Sequence, residues 1–130
     1  MRILLVEDDN RIAKPLAEDL RHQNYTVDIA RDGIEGWDYI QSVNYDLILL
    51  DLMLPNGVSG FDVFDQIKQV PELQAIPVIV ISAADPDEAM PKARKKGLSG
   101  FIAKPISIYI GKYIADVLKG KQVWIAESER

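Results

Sequence analysis

A chain of 130 residues without cysteine suits one domain with its own core, and excludes disulfides, thiolate metal sites and cysteine nucleophiles. Its 15 Lys and Arg against 20 Asp and Glu, a net charge of −5, argue against direct nucleic-acid binding, which needs clustered cations to displace counterions. The opening Met1-Arg2-Ile3-Leu4-Leu5-Val6-Glu7 is too short and too soon acidic for a signal peptide, and no apolar run approaches the roughly 20 residues that span a bilayer, so a cytoplasmic protein without a membrane partner is expected.

Along the chain, short runs of branched apolar residues alternate with helical spacing. Residues 3–6 read as a first buried strand, closed by Glu7-Asp8-Asp9. Ile12, Leu16 and Leu20 then repeat by four, with Asn10 able to cap the helix and Asp9 expected to cap or face solvent rather than bind metal. Pro15 lacks a backbone N–H, so this helix is expected to start late or bend there. A second strand is expected at 26–30. A second helix follows, capped by Asp32, with Ile34, Trp37 and Ile40 in its core stripe. The third strand, 47–50, delivers Asp51. Ser59 or Gly60 opens a third helix with Phe61, Val63, Phe64 and Ile67 inside. The fourth strand, 78–81, delivers Ser82. Pro91 predicts a fourth helix that is short, beginning near Met90, or irregular, and Gly97 closes it. A short fifth strand near 101–102 precedes Lys104-Pro105. Ile106, Ile110, Ile114 and Leu118 stripe a fifth helix, with Ser107 as cap and Gly120 as stop.

The alternation implies a doubly wound α/β fold, a five-stranded parallel sheet with five helices around it. Loops at the carboxyl ends of such strands carry the sites. Glu7, Asp8, Asp51, Ser82 and Lys104 converge there from four strands. Two carboxylates about 4 Å apart repel by about 4 kcal/mol at an effective dielectric of 20. One lysine cannot balance three of them, but a hard divalent cation such as Mg²⁺ can, and its open positions beside a lysine suit a phosphoryl group.

The sequence Val6-Glu7-Asp8-Asp9, then 45–55 around Asp51, then Ile81-Ser82-Ala83, then Lys104-Pro105, closely resembles the receiver domain of two-component response regulators over about residues 2–119. The resemblance implies the flavodoxin-like strand order 2-1-3-4-5, a receiver domain over 1–119 and a C-terminal tail over 120–130. It implies that Asp51 accepts a phosphoryl group, and that Asp8, Asp51 and the Met53 carbonyl hold Mg²⁺ or Mn²⁺, with Glu7 acting through water. Ser82, Ala83 and Lys104 would meet the phosphoryl oxygens, and Phe101 would be the aromatic that switches. The protein itself would not be an enzyme. Its phosphoryl donor would be a sensor histidine kinase or a histidine phosphotransfer protein. An unidentified downstream protein, or a second copy, would bind the fourth helix, fifth strand and fifth helix, where Phe101, Ile106, Tyr109, Tyr113 and the basic run 92–96 are expected to cluster. The family usually carries Gly eight residues after the phosphoacceptor. Here that position is Ser59 and Gly60 follows, which implies one extra residue around Asn56-Gly57.

Three other readings stand beside this one. A receiver severed from a longer regulator fits the same motifs. A haloacid-dehalogenase-type phosphatase needs a second acid where Met53 stands. A flavodoxin-like cofactor binder needs a phosphate loop where Glu7-Asp8-Asp9 would repel one. In the tail, Val123, Trp124 and Ile125 are expected to fold back on the body, the alternative being a partner contact.

Overall fold

The computed structural model describes residues 1–127; residues 128–130, the end of the expected tail, lie outside the described residues. Strand β1 is Arg2–Val6, β2 Thr26–Ala30, β3 Leu47–Asp51, β4 Val78–Ser82, β5 Gly100–Ala103 and β6 Val123–Ile125. Helix α1 is Asn10–His22, α2 Gly33–Ser42, α3 Gly60–Lys68, α4 Pro86–Lys96 and α5 Ile110–Leu118. The strands form one sheet in the order β2-β1-β3-β4-β5-β6, and every pairing is parallel. The first five strands thus follow the expected order. The sheet has six strands rather than five, because residues 123–125 of the expected tail add an edge strand.

Period-two alternation sorts the strand side chains onto two sides. Leu4, Val6, Ile48, Leu50, Val80 and Phe101 pack with α2, α3 and α4. Ile3, Leu5, Leu49, Ile79, Ile81 and Ile102 pack with α1 and α5. Nearly all are fully buried, which explains why the strands read as continuous apolar runs. Among the described residues, no helix is long and apolar enough to cross a membrane.

Several local expectations change. Of the two capping candidates, Asp9 rather than Asn10 caps α1: its carboxylate accepts the Arg11 N–H at 2.9 Å. Asp32 caps α2 as expected, and Ser59 opens α3 in a reciprocal capping box with Asp62. The two prolines neither delay nor shorten their helices. Pro15 and Pro91 are each the sixth residue of a continuous helix, and both are solvent-exposed. The carbonyls that lose an N–H partner to proline belong to the exposed Arg11 and Asp87, which solvent can reach. Helix α4 starts at Pro86, behind the cap Asp85. Helix α5 starts at Ile110, not near Ile106, because the Ser107 hydroxyl accepts the Tyr109 N–H at 3.0 Å and closes a turn before the helix. Ile34 is exposed rather than core. The residues expected to share one output surface divide between the sides of the sheet: Phe101 lies with α4, whereas Tyr113 and Ile106 lie with α5.

Candidate functional site

Four strand ends build the site. β1 ends in a chain segment that turns at Glu7 and Asp8 into the α1 cap. β3 ends in Asp51, β4 in Ser82, and Lys104 follows β5. Register sets these heights: Asp51 pairs with Ile81, and Ser82 with Ala103, so the hydroxyl stands one residue beyond the carboxylate. Glu7 and Asp51 are buried, Asp8 is exposed, and a carboxylate oxygen from each lies within 4.8 Å of the others.

Lys104 binds the two buried acids together. Its Nζ donates to Glu7 Oε1 at 3.1 Å, Glu7 Oε2 at 3.2 Å and Asp51 Oδ2 at 3.2 Å. The other oxygen of Asp51, Oδ1, accepts the Met53 N–H at 3.2 Å. Burial first, then the neighbouring Asp51, lifts the Glu7 carboxyl to about 8. Burial works against the Lys104 charge, but Glu7 and Asp51 outweigh it and raise the ammonium above its ordinary value. The site therefore holds its proton and its ammonium tightly, as a place short of positive charge should. The donor chemistry suits a hard divalent cation: carboxylate oxygens from Glu7, Asp8 and Asp51 surround one point, and the Met53 carbonyl follows two residues after Asp51.

Ser82 is fully buried, and its Oγ accepts the Ala84 N–H at 2.9 Å, leaving the hydroxyl proton to donate elsewhere. Ala83 is exposed beside it, Met53 is exposed, and Phe101 is fully buried within the sheet. All of the acids, the hydroxyl and the lysine singled out in the sequence thus lie at one end of the sheet. Phe101 lies deeper, on the α4 side.

Three features went unread in the sequence. Gly60 fits where it does because a Cβ there would stand 2.9 Å from the Leu52 Cα and closer still to the Asp51 carbonyl oxygen, so α3 can start against the backbone of the site. The backbone of Asn56 and Gly57 stands at positive φ (65° and 73°), and the Asn56 amide donates to Asp32 at 3.3 Å, tying the loop to the start of α2. A cleft of about 680 Å³ also opens between α1 and the segment after β5, bordered by Arg11, Pro15, Ala83, Lys104 and Ile108. The exposed Ile108 was the available signal for it.

Residues 3–109 match the response regulator receiver domain. The chain belongs to that family. Among curated proteins the receiver is similar to the response regulator ArlR of Staphylococcus haemolyticus, 40% identical over 106 residues, covering 82% of this chain and 47% of that protein. It is also similar to protein RcaC of Microchaete diplosiphon, 35% identical over 105 residues, covering 81% of this chain and 16% of that protein. The receiver thus spans about half the length, or less, of these relatives. Among solved structures, a Francisella response regulator receiver domain superposes with a TM-score of 0.81 at 27% identity, covering 92% of this chain and 96% of that one. The bacteriophytochrome response regulator RtBRR gives 0.77 at 30% identity, covering 89% and 76%.

Proposed function

We propose that this receiver is a phosphorylation-controlled response regulator, in which Asp51 accepts a phosphoryl group from a phosphohistidine. The observation that carries the reading is the buried Asp51 carboxylate, fixed by Lys104 on one oxygen and the Met53 N–H on the other, with Glu7 and Asp8 beside it. Two hydrogen bonds orient the nucleophile before the donor arrives, which is the positioning that phosphoryl transfer needs. An Asp51 oxygen bonds to phosphorus as the phosphorus–nitrogen bond of the donor histidine breaks. The electron pair leaves with the imidazole, which keeps or gains a proton to become neutral. The product is an acyl phosphate on Asp51.

Asp8, Asp51 and the Met53 carbonyl would hold Mg²⁺ or Mn²⁺, with Glu7 acting through water. When bound, the cation supplies neutralisation of charge on the transferring oxygens. Lys104 supplies the same from the other side. The Ser82 hydroxyl donates to a phosphoryl oxygen, and the small side chain of Ala83 leaves that oxygen room. The donor is a sensor histidine kinase or a phosphotransfer protein, and the cleft bordered by Pro15 and Ile108 gives it an apolar surface beside Lys104. The domain is not itself a catalyst for an external substrate. Its output is a downstream protein, or a second copy, bound at the α4 side of the sheet.

A second reading has its own support. The curated relatives are twice as long as the matched region or longer, which favours a receiver that belongs to a larger regulator. The chemistry at Asp51 is the same in both. Incubation with Mg²⁺ and acetyl phosphate, followed by intact mass measurement, tests it. Gain of one phosphoryl group by the wild type and none by Asp51→Asn is expected. Equal gain by both would contradict the assignment.

A further inference from the structure

The expected tail does more than rest on the body. Without residues 123–125, β5 would be the edge of the sheet. β6 covers that edge in parallel register, with Val123 beside Gly100, Trp124 beside Phe101 and Ile125 beside Ile102. The approach is close: a Cβ on Gly100 would stand 2.6 Å from the Val123 carbonyl oxygen, so a glycine is what admits the strand. Val123 and Ile125 turn towards the α5 side. Trp124 turns towards the α4 side and packs on the cluster that holds Phe101. There Arg94 of α4 covers the indole at 4.6 Å.

Phe101 is therefore enclosed by its own sheet, by α4 and by Trp124, and has no exposed surface. An outward position for this ring at the sheet edge is the place that Trp124 fills, since neighbouring parallel strands lie only about 4.8 Å apart. Phe101 cannot turn outward while β6 stays docked, and only an inward movement is open to it. The strand itself is short, three residues on a stretch that leaves α5 through Gly120 at φ 91°. Short edge segments open at low free energy, far below global unfolding.

We propose that β6 is a latch in cis, closing the α4–β5 edge in the unmodified receiver and loosened when Asp51 carries a phosphoryl group. The inference rests on Asp51 being the phosphoacceptor. Ser82 lies in the strand next to Phe101, in register with Ala103. When its hydroxyl turns to the phosphoryl oxygens, space opens on the inner side of the cluster. Phe101 settles into that space and withdraws from the indole. Trp124 then keeps Arg94 but loses its wall, and the docking equilibrium of β6 shifts towards release. Coupling of this kind is reciprocal: whatever weakens β6 docking must strengthen the loaded state by the same factor.

Trp37→Phe leaves Trp124 as the sole indole and makes the test direct. With Mg²⁺ and beryllofluoride, a phosphoryl mimic, the Trp124 emission is expected to shift to the red and to become more open to acrylamide quenching, and Asp51→Asn is expected to abolish both. Trp124→Ala and Arg94→Ala are expected to bind beryllofluoride more tightly, the second by up to about fivefold, the worth of an exposed cation–π contact. An acetyl phosphate adduct of full mass with unmoved Trp124 emission, or unchanged beryllofluoride affinity in both variants, would overturn the latch and leave the phosphoacceptor standing. Absence of any adduct in the wild type would overturn both.

Discussion

The two working regions of this receiver are held together by opposite means. At the carboxyl ends of the strands, two buried carboxylates and one ammonium are crowded within hydrogen-bond distance. At the α4–β6 edge, a three-residue strand leans on a hydrophobic cluster under one Arg94–Trp124 stack. The first region is rigid and electrostatically expensive, so the loss of any one charge should be felt throughout. The second is built from weak contacts, so its loss should change equilibria and leave the fold intact. A site that must hold geometry for a reaction and an element that must move for a signal call for this division.

The contrast can be broken or sharpened in order of effect. Lys104→Ala leaves Glu7 and Asp51 buried side by side without their cation, and breaking a buried pair in this way costs about 3–5 kcal/mol. Urea unfolding should show that loss, and Mg²⁺ should restore part of it. A change below about 1 kcal/mol would mean that the charges at this end of the sheet are not tightly coupled. Gly60→Ala pushes α3 against the backbone of Leu52 and Asp51, so a cost of about 1–3 kcal/mol is expected, with slower phosphorylation by acetyl phosphate as the second readout.

Protons give the next test. Glu7 holds its proton more tightly in the folded chain, where it titrates near 8, than at its ordinary value of 4.5. Between those values the native state binds more protons than the unfolded state, so stability without divalent cation should fall as pH rises through that window. Mg²⁺ needs the carboxylate, so its affinity should tighten over the upper part of the same window, followed by tryptophan emission. Glu7→Gln should flatten both dependences. The smallest effect belongs to the other region: Arg94→Ala should cost about 0.5–1 kcal/mol in thermal unfolding, and a loss several times larger would mean that β6 is a structural strand and not a movable one.

What the sequence disclosed divides along the same line. Five strands and the acids at their ends were legible because a fully buried parallel strand leaves a continuous apolar run, while the strand order came with the resemblance to receiver domains. Crowded carboxylates also have few explanations other than a site. Lys104 was foreseen beside Asp51, but its equal hold on Glu7 was not, since no spacing in the chain encodes which acid a long side chain reaches. The prolines misled for a related reason. Whether Pro15 or Pro91 breaks a helix depends on whether the orphaned carbonyl faces water, and that is decided by packing. Asp9 displaced Asn10 as the cap because both residue types cap well and only the backbone turn chooses between them. Val123, Trp124 and Ile125 were expected to fold back, but three residues carry no period from which a strand can be read.

The claim on which the rest depends is that Asp51 carries the phosphoryl group. After incubation with Mg²⁺ and acetyl phosphate, borohydride reduction of the acyl phosphate and peptide mapping should place the modification at Asp51, in the tryptic peptide 32–68. Modification found only in a peptide that lacks Asp51, or none at all in a folded protein that binds Mg²⁺, would contradict the account.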